Sequence, residues 1–355
     1  MASELKVDNI SEKTTNAGVQ LSSSLGFVSK TTSQINALSG MAAGDTVYDS
    51  DMGTLKVYNG SSWNEMSGST FPIDIDYLVV AGGGGSGVDN GAGLGYTGGS
   101  GAGGLLSSKD TQGRGVAAAT TPSFAAGTSI TVTVGAGGPS ESKGSSSVFY
   151  NVTALGGGIP SDSNAEKAGG CGAGASASSI DDTDIGGIGS HGYDGGDNNG
   201  ANGATGGGGG AGAAGGEPSS SSSQSGGDGG VGNVTTILST STATTVGVGE
   251  VDGGSVYFSG GGGGGGASSQ GTGGLGGGGN GGGNYSGTTN TGGGCGGTYN
   301  TSVSGAGGSG VVILRYPASH TLTADGSDDG LTVSTYTEGS FKVSVYTAGT
   351  GNITV

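Results

Sequence analysis

Positive charge is the scarcest thing in this sequence. Lysine and arginine total 10 of 355 residues against 27 aspartates and glutamates, a formal charge of −17. Such a surface repels phosphate backbones and argues against a nucleic-acid partner. From Gly169 to Gly310 there is no lysine or arginine at all. Long apolar runs are missing too. The longest, Tyr77–Ala81 and Val311–Leu314, span five and four residues, whereas a membrane helix needs about 20, so no membrane insertion is expected. Met1–Ile10 carries Glu4, Lys6 and Asp8 and lacks the apolar stretch of a secretory signal. Cys171 and Cys295 are the only cysteines, too few for a disulfide framework. Two free thiols in a reducing cytoplasm are expected in preference to one bridge. Only 31% of residues are hydrophobic and 5% aromatic, and helix-length amphipathic patterns are almost absent. A doubly wound α/β enzyme is thereby excluded.

Glycine takes the vacated positions. It occupies 91 residues: 7 in 1–80, 79 in 81–310 and 5 in 311–355. The distribution divides the chain into an N-terminal β-module (1–70), a glycine-rich domain (71–317) and a C-terminal β-module (318–355).

In the first region, Thr31–Leu38 reads as a short capped helix with Ile35 and Leu38 on one face and Gly40 as its stop. Asp45–Tyr58 reads as a hairpin turning at Asp49–Gly53, and Asn59-Gly60 is a second turn. The sole tryptophan, Trp63, reads as a packing anchor. In the second region, Ile73–Ala81 alternates and then becomes apolar on both faces, which marks a buried strand. Val311–Tyr316 is its counterpart, and the two are expected to pair. Ser129–Val134, Ser147–Val152 and Ser255–Phe258 are further strands. In the third, Leu331–Tyr336 and Phe341–Tyr346 flank a Glu338-Gly339 turn, and Asn352–Val355 is expected at an edge.

The glycine runs at 82–85, 206–210, 260–266 and 276–283 admit three structures. One is a flexible linker. Collagen is excluded, because there is no three-residue repeat and only 6 prolines. The third is a packed array of extended threefold helices of the polyglycine-II type. Such helices have no internal hydrogen bonds, and without side chains they approach closely enough to bond sideways. The expected fold class is mostly β with polyglycine-II-type helices: a glycine-rich sandwich bounded by strands, between a small N-terminal β-module and a C-terminal hairpin.

Sites of known chemistry are few. Gly82–Gly87 satisfies G-x-G-x-x-G after a strand, but the glycine-rich residues that follow cannot supply the helix a dinucleotide needs. No cofactor is expected. His191 and His320 lack metal-ligand spacing. Asp181–Asp184, Asp194–Gly200 and Asp325–Gly330 are hard-oxygen clusters that read first as solvated turns, and no metal is assigned. No constellation singles out an enzyme.

With these residues in view, the chain resembles bacteriophage tail-fibre and adhesin proteins, especially those of marine phages. The resemblance runs through Met1–Ile10, through Gly44–Trp63, and from Asp76–Gly85 to Gly308–Tyr316, with Gly101–Leu106 and Val132–Gly138 between. The glycine-rich tip adhesin of T-even-type phages is a more distant likeness, resting on composition. The resemblance implies a virion protein that recognises the host-cell surface, with other virion or tail proteins and a cell-surface receptor (protein or glycan) as partners, and a homotrimer. Leu5, Val7, Ile10, Val47, Leu55, Val57 and Trp63 are then the residues for virion docking and oligomerisation. The loop aromatics Tyr193, Tyr285 and Tyr299 are the cheapest recognition groups, with structural packing on glycine backbone as their alternative role. A purely structural appendage (a head fibre or a connector) and an ice-binding or surface-coat protein are the rival readings.

Overall fold

The computed structural model of the protein describes residues 27–70, 72–87, 96–161, 163–177, 184–198, 203–219, 224–283, 285–299, 305–324 and 330–355. The chain forms two compact units, Met1–Phe71 and Pro72–Val355. Leu5, Val7 and Ile10 lie outside the described residues.

The first unit is a four-stranded sheet with one short helix. Thr46–Asp49, Thr54–Tyr58 and Trp63–Thr70 form an antiparallel meander, and Ser29–Lys30 adds in parallel to the first of them. Helix Thr32–Asn36 begins in a capping box: the Thr31 hydroxyl accepts Gln34 N–H while Gln34 Oε1 accepts Thr31 N–H. Ile35 is buried. The turn at Asn59 forms because its Oδ1 accepts the N–H groups of Ser61 and Ser62. Val47 and Leu55 are buried, Val57 and Trp63 are half-buried, and the Trp63 ring lies 5.4 Å from that of Tyr58.

Asp49, fully buried, ties this unit together. It accepts bonds from Lys56 Nζ at 2.8 Å, the Thr32 hydroxyl, and the N–H groups of Asp51 and Met52. Burial alone pushes its pKa up, but Lys56, Thr32 and the two N–H groups outweigh burial and hold it below the usual carboxylate value. A group with a depressed native pKa stabilises the fold above its unfolded pKa, roughly 3.9, and the gain vanishes as pH falls through the native value. Trp63 fluorescence reports this unit selectively, since the chain has one tryptophan. Its melting is expected to weaken steeply below about pH 4, and Asp49→Asn is expected to lower stability at neutral pH and flatten that acid limb. An unchanged acid limb in Asp49→Asn would place the titration elsewhere.

The second unit is built on two five-stranded antiparallel sheets. One runs in the order Thr332–Glu338, Phe341–Ala348, Val311–Pro317, Asp76–Val80 and Leu105–Ser107. The expected pairing of the two most apolar strands is present, with Val311 opposite Val80 and Arg315 opposite Asp76. The other runs Val152–Ala154, Ser147–Phe149, Ser129–Thr133, Thr350–Thr354 and Thr323–Ala324. Tyr77, Val79, Val312, Leu314 and Tyr316 of the first sheet meet Ile130, Val132, Phe149 and Ile353 of the second in one core. The opposite face of the first sheet, with Leu78, Val80, Val311, Ile313 and Val345, packs on Ile237, Leu238, Val256 and Phe258. These belong to a small sheet (Asn233–Thr235, Glu250–Asp252, Ser255–Phe258) and to the segment leading into helix Thr240–Val246. Asp76–Val80 is apolar on both faces because both are covered.

Three sequence expectations differ from what forms. Ser147–Val152 is two strands, because Tyr150 takes φ +54° and reverses the chain. Asn352–Val355 is no edge: Thr350–Thr354 pairs on both sides. The strands of 318–355 complete the two sheets of the second unit, since the backbone groups of Val311–Pro317 and Ser129–Thr133 need those partners.

Several strands run on into the glycine segments, where the bonding changes. Along 97–104, Thr97, Ser100 and Gly103 donate to Thr298, Cys295 and Gly292; Gly99 and Ala102 donate to Gly206 and Gly209; Gly101 and Gly104 donate to Gly158 and Leu155. Its carbonyls accept with the same period from Gly265 and Gly262, from Gly174 and Cys171, and from Gly84 and Ala81. All of these bonds measure 2.8–3.4 Å. The bonding direction thus repeats every third residue, and six separate segments surround this one. Gly260–Gly265 behaves alike: Gly260 and Gly263 donate to Gly276 and Gly279, Gly261 and Gly264 to Gly230 and Gly227, Gly262 and Gly265 to Ser100 and Thr97. Glycine is required by the closeness of approach. A Cβ at Gly99 would overlap the Gly262 carbonyl, and one at Gly262 the Cys295 carbonyl.

Where a segment lies at the rim, carboxylates and amides replace the missing neighbour. Asp194 and Asp197 accept the N–H groups of Gly189 and Gly186 at 2.8 Å. Asp228 accepts Thr272 N–H, Asn280 accepts Gly273 N–H, and Glu250 accepts Gly276 and Gly277 N–H. Part of the acidic excess is therefore structural: an unpaired rim N–H needs an acceptor, and lysine or arginine offers none.

Candidate functional site

The described residues on either side of 88–95, 178–183, 199–202, 220–223 and 300–304, stretches outside the described residues, meet at one end of the glycine array. They are Ser86 and Tyr96, Ser176, Asn198 and Ala204, Gln224, and Tyr299 and Gly305. Bonds connect most of them: Ser86 N–H to Gly305 O, Thr97 N–H to Thr298 O, Gly98 N–H to the Ser176 hydroxyl, and Asn198 Nδ2 to Ser176 O, while Ala204 and Gln224 both join the segment 266–269. The opposite ends of the same segments enter the sheets, as 81–87 continues Asp76–Val80 and 305–310 leads into Val311–Pro317. The glycine segments are thus continuous with strands that are anchored in two apolar cores.

This end is sealed by buried hydroxyls. The Thr97 and Thr298 hydroxyls lie 3.0 Å apart, Thr298 N–H donates to Thr97 Oγ1 at 3.0 Å, and Thr205 Oγ1 donates to Thr97 O at 2.9 Å. Thr97, Thr205, Thr298 and Asn198 are all buried. Above them the rings of Tyr96 and Tyr299 pair at 5.0 Å with a 33° tilt, each half-buried. Burial first, and then the hydrogen bond to Tyr299, raises the Tyr96 hydroxyl above the usual phenol pKa.

Tyr299 therefore sits at this end, but Tyr193 and Tyr285 do not join it in a ring pairing among the described residues. Tyr193 is half-buried on a flank, where its backbone bonds to Gly172 and Gly210 and where Arg114 grips Asp194 with two bonds. Tyr285 is 58% exposed, and its carbonyl accepts Gly296 N–H and the Cys295 thiol. Tyr96 escaped the sequence reading, although a signal existed. Tyr96-Thr97-Gly98-Gly99 is mirrored by Gly296-Gly297-Thr298-Tyr299, and antiparallel neighbours bring mirrored stretches side by side.

The chain belongs to the glycine-rich domain family. The family matches residues 57–317, from the third strand of the first unit to the last residue of Val311–Pro317. No curated protein and no solved structure matches the chain.

Other features of this glycine-rich domain bear on its chemistry. Among the described residues, no three His, Cys, Asp or Glu side chains gather to hold a metal, and no helix is long and apolar enough to cross a membrane. Asp194 and Asp197 of the hard-oxygen clusters are engaged with backbone N–H; residues 181–183 and 325–329 lie outside the described residues. Gly82–Gly87 is bonded within the array, with Gly82 to Ser145 and Gly83 to Gly308. Both cysteines are free and buried. They lie on different neighbours of the 97–104 segment, Cys171 bonded to Ala102 and Cys295 to Ser100. Burial pushes both thiols up, Cys295 to about 12. At the site end the Tyr96 and Tyr299 rings are partly exposed, while the threonine hydroxyls and Asn198 lie buried beneath the surface.

Proposed function

We propose that this protein is a bacteriophage virion component, a tail fibre or fibre-tip adhesin that recognises the host-cell surface. The observation that carries the reading is the convergence of Ser86, Tyr96, Ser176, Asn198, Tyr299 and Gly305 on one end of a sheet-anchored glycine array. The resemblance of its bounding strands to phage glycine-rich domains supports it. In this reading the glycine segments are polyglycine-II-type helices. Their bonding period of three, with lateral bonds in several directions, is what a threefold helix without internal bonds requires. Such a body is held by backbone hydrogen bonds and does without a large apolar core.

The N-terminal unit docks to the virion or a fibre shaft and assembles as a homotrimer. A shallow groove of about 260 Å³ lined by Val28, Leu38, Met41, Val47 and Trp63 supports this, as Val28 is 63% exposed. Sister chains covering that groove would bury the apolar surface that so small a unit leaves open.

The test uses the particle whose genome encodes this chain. An antibody raised against the chain is expected to label a tail appendage, and the purified chain, sedimenting as three copies, is expected to slow adsorption when preincubated with host cells. Labelling of the head with adsorption unaffected would favour the purely structural reading. Absence from the particle would sink both.

A further inference from the structure

We infer that Tyr96 and Tyr299 form a site of oxidative cross-linking, where a one-electron oxidant couples the two phenols into a dityrosine that fastens two segments of the glycine array together. The inference stands apart from the recognition role proposed above, since it needs no ligand.

Three observations carry it. First, the two rings are already paired. Their centroids lie 5.0 Å apart at a 33° tilt, and a hydrogen bond joins the phenols. A phenoxyl radical carries its spin on the oxygen and on the ring carbons beside and opposite it. Hydrogen-bonded phenols set the carbons beside their oxygens next to one another. Among the described residues this is the one ring pair built from two tyrosines. Second, the backbone keeps the rings together. Thr97 N–H donates to Thr298 O at 3.2 Å and Thr298 N–H to Thr97 Oγ1 at 3.0 Å, one residue from each ring. Reacting groups held in this way behave as if very concentrated, so a radical on one ring meets the other before it meets a second molecule. Third, an oxidant has access and the chain's own reductants do not. Tyr96 and Tyr299 are half-buried, whereas Tyr77, Tyr316 and Tyr346 are at most 3% exposed in the core between the sheets. A thiolate would return a phenoxyl radical to phenol, but Cys171 and Cys295 are 0% exposed and burial holds their thiols protonated.

The chemistry balances with a peroxide as the oxidant. Each phenol gives up one electron and one proton. The two radicals join through a carbon–carbon bond between positions ortho to the hydroxyls, and each of those carbons passes its hydrogen to its oxygen, which restores both rings. The O–O bond of the peroxide breaks and takes up the two electrons. Both cysteines are free, so the new bond is the covalent closure that the array otherwise lacks. Closing a long loop constrains the unfolded chain and stabilises the folded one.

The experiment treats the purified full-length chain with persulfate, tris(bipyridine)ruthenium(II) and a pulse of visible light. The expected product is a single chain lighter by two hydrogens, with the blue fluorescence of dityrosine. Proteolysis is expected to leave the peptide of Tyr96 bonded to the peptide of Tyr299. Tyr96→Phe and Tyr299→Phe, which keep the rings, are each expected to cut intrachain dityrosine at least tenfold without altering the melting profile. Tyr285→Phe, at a side chain 58% exposed, is expected to leave it unchanged. The cross-linked chain is expected to unfold at higher urea than the untreated one. A peptide map in which other tyrosines couple while Tyr96 and Tyr299 stay separate overturns the inference, as does coupling between chains alone. Intrachain dityrosine that persists in both phenylalanine variants overturns it too. Oxidation of either ring to a catechol without a carbon–carbon link would show that the rings are not held within reach. A cross-linked chain that unfolds at unchanged urea removes the fastening, and the inference with it.

Discussion

Gly262→Ala is expected to unfold the glycine array. The methyl would overlap the Cys295 carbonyl, and Gly262 already donates to Ser100 and accepts from Gly208. An ordinary core relieves such a clash by turning a side chain. Here the obstacle is backbone that is itself bonded on several sides, so the segment can move only by breaking bonds worth about 0.5–1.5 kcal/mol each. The expected loss exceeds about 4 kcal/mol, in the exceptional range for one substitution. The two buried thiols read it directly. Cys171 and Cys295 are both 0% exposed and held protonated, so they react with thiol reagents only when the array opens. Gly262→Ala is expected to make both reactive within the native buffer. Ile188→Ala, at a side chain 67% exposed, is expected to stay within about 0.5 kcal/mol of wild type and leave the thiols silent. Silent thiols and a wild-type melt in Gly262→Ala would mean that the segments are not close-packed.

Val312→Asp is expected to remove the second unit altogether. Val312 is 0% exposed, faces Val79 and Tyr346 on the two flanking strands, and lies in the core between the sheets. Among the described residues Lys167 is the one buried basic side chain, and it is paired with Asp184, so a carboxylate at this position meets no counter-charge. An unpaired buried charge costs several kcal/mol, against a total stability that is typically about 5–15 kcal/mol. The expected result is insoluble chain, or soluble chain without the β signature in circular dichroism. Val333→Asp is the control, on the outer strand Thr332–Glu338 with Val333 at 42% exposure, and should fold. A folded Val312→Asp would show that the two-sheet core does not support the array.

How far the sequence could be read depended on side chains. Asp76–Val80 and Val311–Pro317 were legible as partners because both are apolar in a chain short of apolar residues. The capped helix at Thr31 and the hairpin at Asp49–Gly53 were legible because capping and turn chemistry are local. The reversal at Tyr150 was not, because Val148-Phe149-Tyr150 is an unbroken run of strand-forming residues, and no glycine or proline marks the positive φ. The inner position of Thr350–Thr354 was hidden too, since its two partners lie far away in sequence. The acids of the glycine region read as solvated turns; their service as acceptors for rim N–H groups depends on which segments lack a neighbour.

The sequence by itself determined that any packing of the central segments runs through backbone, because glycine leaves nothing else to pack, and that the apolar strands bound them. Only the tertiary structure decided which segment lies beside which. A run of identical glycines bonds equally well in any register, so it carries no information about its partner. The register comes from the residues that are not glycine: strands that enter the sheets at one end, and the mirrored tyrosine–threonine pairs that meet at the other.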